Sequence, residues 1–333
     1  MRRALVTGIT GQDGSYLAEL LLEKNYHVHG TVRPGADPTK SWIAHLLSNP
    51  TLHGRMVLHQ IRLTDSKSVK DLITRIAPDE IYHLAGQSHV GLSYEIPEET
   101  CEFAVLSALR LLESLRSQCP GARFFSASSA AIFGHPTVAP QDEQTPVAPV
   151  NPYGCAKAFA THLVRAYRES YGLFACNGIL YNHESPRRGP DFVTRKICRA
   201  AAAIKAGLQQ ELLLGDLEAK RDWGHARDFV RAMWLMLQQA APDDYVVATG
   251  VSHSVVDVLD TAFGALGLEW RSYVRQDPTL VRPREPVALL GNPRKARVNL
   301  GWEPTVSFEE MIREMTFAEV QRISILENLR RNR

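Results

Sequence analysis

The chain begins with a strand, a glycine-spaced turn and a helix in that order, and this commits its first half to a nucleotide-binding α/β architecture. Ala4-Leu5-Val6-Thr7 is an apolar run of strand length, Gly8, Gly11 and Gly14 follow at intervals of three, and residues 16–22 then carry an apolar face at helical spacing. Glycine lets a backbone approach a pyrophosphate closely, and the start of the helix offers unpaired N–H groups and the positive end of its dipole. The spacing is G-x-x-G-x-x-G rather than G-x-G-x-x-G, and a second strand expected at 27–32 completes the unit. A dinucleotide cofactor is implied.

Strands and amphipathic helices alternate through the first 180 residues. Further strands are expected at 56–60, 80–84, 122–127 and 174–180, and helices at 66–76, 98–118 and 152–171. This alternation specifies an α/β fold with a doubly wound parallel sheet covered on both faces, the Rossmann class, in which ligands lie beyond the carboxyl ends of the strands. From residue 181 the connections lengthen and become basic and proline-rich, with helices near 194–205, 227–239, 255–266 and 308–322. We divide the chain into a Rossmann domain, 1–180, and a smaller domain, 181–333, that closes over the substrate, with the chain crossing between them.

Ser129 follows one expected strand, and Tyr153 begins the next helix, where Asn151-Pro152 reads as an N-cap followed by proline at the first helical position. Tyr153 and Lys157 then lie one turn apart on one face. A free tyrosine titrates near about 10, so an ammonium beside it is what fits the phenol to take a proton from a hydroxyl. Ser129, Tyr153 and Lys157 are the expected catalytic group. Leu84-Ala85-Gly86-Gln87-Ser88 leaves a neighbouring strand end, and Ala85 and Gly86 are small enough to leave room for a nicotinamide ring.

With 333 residues and 44% hydrophobic content the chain can bury a full core, and a formal charge of +2 gives no general attraction to nucleic acid. Local basic pairs stand at Arg187-Arg188 and Arg195-Lys196. The five cysteines, at 101, 119, 155, 176 and 198, lack paired metal spacing, so we expect reduced, mostly buried thiols, no metal and a cytoplasmic protein. No apolar run approaches the ~20 residues of a membrane span, and neither export nor membrane insertion is expected.

Four segments carry a family likeness: residues 8–17 (GITGQDGSYL), 177–189 (NGILYNHESPRRG), 192–196 (FVTRK) and 221–225 (RDWGH). Together they resemble the GDP-mannose 4,6-dehydratase family of extended short-chain dehydrogenase/reductases, along nearly the whole chain. The resemblance implies a GDP-sugar substrate. It implies cofactor contacts at Gly8, Thr10, Gly11, Gln12, Asp13, Gly14, Arg33, Leu84, Ala85, Gln87, His183 and Arg188, besides Tyr153 and Lys157. For the substrate it implies Ser88, with Asn182, Val193 and Lys196 at the nucleotide end, Arg221 and Arg282 near the pyrophosphate, and Glu285 on a hydroxyl. Arginine forks suit phosphate oxygens.

One position departs from the family. Its Ala-Ser-Thr-Ser-Glu segment is Ala127-Ser128-Ser129-Ala130-Ala131 here, so a methyl group stands where the resemblance implies the glutamate that lifts the C5 proton once C4 is a ketone. Residues 129–134 are similar instead to the Ser-Ala-Thr-Val-Tyr-Gly of UDP-galactose-type 4-epimerases. We therefore expect a GDP-sugar 4-epimerase, of which the GDP-octose type in antibiotic-sugar assembly is one form, working through a 4-keto intermediate with reversible hydride transfer. The alternatives are a GDP-4-keto-sugar reductase, a GDP-mannose 4,6-dehydratase with His89, His183 or Glu184 as substitute base, and lastly a non-catalytic dinucleotide sensor. Arg33 would suit a 2′-phosphate, but Pro34 follows where the family offers a second arginine, and recycling in place favours NAD+ over NADP+. A homodimer through the helices at 98–118 and 152–171 is expected, with a tetramer as the other assembly.

Overall fold

Six strands of the first half, β1 (Arg3–Thr7), β2 (His27–Val32), β3 (Met56–Gln60), β4 (Glu80–His83), β5 (Arg123–Ser129) and β6 (Ala175–Leu180), pair in parallel with a seventh from the second half, Tyr245–Val247. The computed structural model describes residues 1–280 and 289–331. The sheet order is Tyr245–Val247, β6, β5, β4, β1, β2, β3. Strand order therefore reverses between β1 and β4, and the loops leaving those two strands flank the crevice where such sheets take ligands. The Rossmann class expected from the alternating pattern is the observed one.

Burial on both faces explains why β1 is an unbroken apolar run. Ala4 and Val6 point into one core with Leu17, Tyr82 and Phe125, while Leu5 points into the opposite one with Ile73, Leu112 and Phe124. A separate core of Ile197, Trp223, Val258, Phe263, Met311 and Ile312 supports the second half. There a small sheet joins Asn182–Glu184, Lys220–His225 and Ser252–Ser254.

Three sequence expectations need adjustment. The helix at 98–118 is an α-helical turn at Pro97–Cys101, a π-helical stretch at Glu102–Leu106, and an α-helix at Ser107–Gln118. β5 runs two residues further than expected because Ser128 and Ser129 keep pairing with Ile179 and Leu180 of β6. The cysteines are free, as expected, but they are not mostly buried. Cys176 and Cys198 are buried, Cys101 and Cys155 are exposed, and Cys119 is half-buried. No helix among the described residues is long and apolar enough to cross a membrane.

A chain of hydrogen bonds ties the sheet to the wide helical turn. The Thr7 hydroxyl oxygen accepts from the N–H groups of Leu84 and Ala85, both at 3.1 Å, so its own proton goes to Nδ1 of His83 at 2.9 Å. With Nδ1 accepting, Nε2–H donates to Ser107 Oγ at 3.1 Å, and Ser107 donates onward to the Phe103 carbonyl. Every member is satisfied only if His83 is neutral. Burial, with the Lys157 ammonium acting in the same direction, pushes His83 down to about 3. The unfolded chain binds a proton at this histidine below about pH 6.5, and the folded one does not until near its depressed value. Stability from this group is thus complete above the unfolded pKa and lost as pH falls toward the folded one, at up to about 1.4 kcal/mol per pH unit. Urea-unfolding free energies should decline from pH 7 to pH 5, and His83→Gln should decline less steeply from a lower start. Equal slopes in the two proteins would refute this assignment.

Candidate active site

The helix Pro152–Tyr171 starts where the sequence reading placed it: Asn151 Oδ1 accepts from the Gly154 N–H at 2.8 Å, and Pro152 occupies the first turn. Tyr153 is buried, and its N–H donates to Ser93 Oγ at 3.2 Å. Lys157 Nζ lies 5.8 Å from the centre of the Tyr153 ring and donates to the Ala127 carbonyl of β5 at 2.7 Å. Cation and phenol share one helix face, as their spacing requires. Ser129 ends β5, and its Oγ accepts from the Ala131 N–H at 3.2 Å. A Cβ at Gly154 would meet the Ala131 carbonyl oxygen at 2.6 Å. The helix start therefore abuts the loop after β5, which brings Ser129, Tyr153 and Lys157 to one end of the sheet.

The glycine turn is equally tight. Gly8 takes φ +71°, and a Cβ at Gly14 would fall 2.3 Å from the Gly8 carbonyl oxygen. The first turn of helix Gln12–Glu23 is thus held against the end of β1, with its N–H groups beside the crevice. Gln12 Nε2 donates to the His183 carbonyl at 3.0 Å, and Asp13 Oδ2 is 2.9 Å from His183 Nε2. His183 Nδ1 lies 2.7 Å from the Tyr181 carbonyl oxygen. Facing a carboxylate and a carbonyl, both ring nitrogens donate, which makes His183 an imidazolium. Burial opposes both charges, yet their attraction and hydrogen bond prevail, so Asp13 is held below its ordinary range and His183 above it.

Of the remaining expected cofactor positions, Leu84 and Ala85 lie against Gly8 of this turn. Leu84 and Ala85 are fixed through Thr7, while Gln87 donates to Thr100 Oγ1 at 3.1 Å. Arg33, at the end of β2, places its guanidinium 5.0 Å from the centre of the Phe103 ring. Arg188 Nε lies 3.2 Å from Glu184, and its guanidinium covers the Phe192 ring at 3.6 Å. A closed glycine turn, a helix start facing it and small side chains at 85 and 86 fit a nicotinamide dinucleotide.

Of the expected substrate positions, Asn182 stands opposite Trp223 in the small sheet, two residues from Arg221, whose guanidinium donates to the Lys220 carbonyl at 2.6 Å. Val193 begins the helix Val193–Lys205, and Lys196 Nζ donates to the Leu213 carbonyl at 2.8 Å. Ser88 is exposed in the loop after β4. Arg282 and Glu285 lie outside the described residues. Sequence reasoning missed Ser93 and the Thr7, His83 and Ser107 set. A threonine closing an apolar strand was the one readable sign of the latter, and nothing in the pattern marks Ser93.

The three stand-ins for the missing glutamate differ sharply. His183 is already protonated. His89 Nδ1 accepts from the Leu92 N–H at 3.1 Å, which leaves its proton on Nε2. Glu184 is buried, with Oε2 accepting from Thr194 and paired with Arg188.

The family model described as "GDP-mannose 4,6 dehydratase" matches residues 5–315. The chain is 50% identical over 324 residues to GDP-mannose 4,6 dehydratase 2 of Arabidopsis thaliana, covering 96% of this chain and 87% of that one. It is 45% identical over 339 residues to the Homo sapiens GDP-mannose 4,6 dehydratase, covering 96% and 91%. Among solved structures, UDP-glucose 4-epimerase of Thermus thermophilus, in complex with NAD, superposes with a TM-score of 0.80 at 25% identity over 95% and 98% of the two chains. The dTDP-glucose 4,6-dehydratase DesIV of Streptomyces venezuelae gives 0.84 at 23% identity over 97% and 98%.

These relatives overturn the expected 4-epimerase. Proteins sharing about half of this sequence over nearly its full length carry the dehydratase name, whereas the epimerase likeness lies in residues 129–134 and in structural neighbours of 25% identity or less. The error lay in resting a whole reaction on one side chain. A base absent at position 131 ends dehydration only if no other group reaches the same carbon.

Because the Cβ of an alanine at position 14 would collide with backbone rather than a movable side chain, Gly14→Ala should destabilise the fold by about 1–3 kcal/mol. It should also weaken dinucleotide binding. Thermal melts and fluorescence titration with NAD+ and NADP+ read both effects, and wild-type values in the two would refute the close-approach argument.

Proposed function

From its place in the GDP-mannose 4,6-dehydratase family, to which the chain belongs, we propose that it removes water from a GDP-hexose, GDP-mannose foremost, to give a 4-keto-6-deoxy sugar. The observation that carries this reading is the meeting of Ser129, Tyr153 and Lys157 at the carboxyl end of β5, in a chain half identical to relatives of that name. The reaction is redox-neutral overall: C4 is oxidised, C6 is reduced, and one water leaves across C5 and C6.

Each residue has a share in this chemistry. Tyr153, beside the Lys157 ammonium, takes the proton of the 4-hydroxyl, while Ser129 bonds the same oxygen. When bound against the glycine turn and the 84–87 loop, a nicotinamide dinucleotide supplies reversible hydride acceptance. One arginine at the end of β2 with Pro34 after it makes a weak 2′-phosphate site, and because the cofactor is recycled in place we favour NAD+ over NADP+. Ala131 accepts no proton. Of the three stand-ins, only Glu184 keeps an oxygen, Oε1, with no hydrogen bond to a described residue, and we assign it the C5 proton. The nucleotide end falls to Asn182, Val193 and Lys196, and Arg221 to the pyrophosphate.

We further take the protein to be a homodimer. A groove of about 850 Å³ between the Pro97–Leu106 stretch and helix Pro152–Tyr171 exposes Leu106 (39%) and Phe159 (55%) on its walls, an apolar strip suited to a second copy of the same helices.

Incubation with GDP-mannose and catalytic NAD+ or NADP+, without added reductant, should yield a product one water lighter with a C4 ketone and a C6 methyl by NMR. Tyr153→Phe should cut turnover by about 10²–10⁴ with dinucleotide binding kept, and Glu184→Gln should block water loss. Unchanged GDP-mannose after prolonged incubation of wild-type enzyme would overturn the reading.

A further inference from the structure

We propose that His89 donates a hydrogen bond from Nε2–H to an oxygen of the sugar ring held between Tyr153 and the nucleotide wall, so that it selects for a GDP-sugar over free GDP. This rests on the GDP-sugar reading of the site. The tautomer follows from the structure: the Leu92 N–H occupies Nδ1 at 3.1 Å, so a neutral ring carries its proton on Nε2, which makes no hydrogen bond with a described residue. The ring is held on two sides. Leu92 fixes one edge, and Phe192 packs against it edge-on with centroids 5.5 Å apart.

Placement adds the second argument. The His89 carbonyl accepts from the Ser93 N–H at 3.3 Å, and Ser93 Oγ accepts from the Tyr153 N–H at 3.2 Å. His89 is therefore two hydrogen bonds from the proposed proton carrier. On its other flank, Phe192 lies beneath the Arg188 guanidinium and immediately precedes Val193, the start of the wall assigned to the nucleotide. A hexose joined to that nucleotide and presenting C4 to Tyr153 must cross the interval that His89 spans. The residue is half-buried, so part of it meets solvent. A fixed N–H donor without an acceptor among the described residues suits the lone pairs of a hydroxyl or ring oxygen.

Two near-isosteres separate the ring's two nitrogens. His89→Asn keeps an acceptor near Nδ1, which preserves the bond to Leu92, and removes the outer donor. His89→Gln places an amide N–H near Nε2. In calorimetric titration, His89→Asn should bind GDP and dinucleotide like wild type but GDP-mannose about tenfold or more weakly, the worth of one lost hydrogen bond. His89→Gln should recover most of that loss. Equal affinity of His89→Asn and wild type for GDP-mannose would overturn the proposal. So would a parallel fall in GDP, dinucleotide and GDP-mannose binding, or in melting temperature, in both variants, since that marks a purely structural role. Because binding is read rather than turnover, failure of the dehydratase reading would leave this result interpretable.

Discussion

The hydrogen-bond chain from the Leu84 and Ala85 amides through Thr7, His83 and Ser107 to the Phe103 carbonyl sets the geometry on which the crevice depends. It joins the ends of β1 and β4, the two strands between which the sheet order reverses, to the π-helical turn outside them. Each link fixes the next, because Thr7 has one proton to give and His83 has one to pass on. The loop over which a nicotinamide ring would lie is thereby held by a buried side chain rather than by the ligand. The widened turn presents the Phe103 carbonyl to Ser107 and the Phe103 ring to Arg33. Loop, strand ends and the end of β2 at Arg33 are set together.

A second tie works by charge. Asp13, in the first turn after the glycines, and His183, just beyond β6, form an ion pair whose imidazole is buried and whose carboxylate is half-buried. Pairs buried to this degree gain little net stability, since desolvation offsets most of their attraction. Their consequence here is positional: the Gln12 side chain bonds the His183 carbonyl and accepts from Ser185, so three contacts lock the glycine turn to the segment that opens the second half of the chain. The same pairing removes His183 from proton transfer, because an imidazolium facing a carboxylate has no lone pair to offer. Structure thus decides between chemical roles that composition leaves open.

How much of this was legible depends on the range of the interaction. The glycine turn, the Asn151-Pro152 helix start and the Tyr153 to Lys157 spacing are local, and the structure realises each through contacts within a few residues. The alternation of strands and helices likewise announces the parallel sheet, because burial on both faces demands apolar runs such as Ala4 to Thr7. What could not be read joins distant parts of the chain: Thr7 with His83, Asp13 with His183, Ser93 with Tyr153. No periodicity encodes such pairs. The break of the 98–118 helix into a π-helical middle is of the same kind, since it accompanies a bond from Ser107 that matters only once His83 is in place. The mistaken reaction had another origin, in reading one side chain as decisive while the rest of the family pattern stood intact.

The surroundings of Ala131 show why that side chain and the architecture vary independently. Its N–H is capped by Ser129, its carbonyl packs against Gly154, and its neighbours Ala130, Ile132 and Phe133 are buried. The turn closes at Gly134, whose φ of +58° and contact with the Ala148 carbonyl leave no room for a Cβ, and Ile132 accepts from the Ala148 N–H at 2.9 Å. Backbone contacts and neighbouring side chains therefore dictate the path of the loop, and the side chain at 131 is left without a structural task. Substitution there costs the fold little and leaves Ser129, Tyr153 and Lys157 where they were. Under the proposed dehydration, a loop of this construction leaves the Ser129, Tyr153 and Lys157 end intact whatever stands at 131, and the acceptor for the C5 proton then belongs to another element.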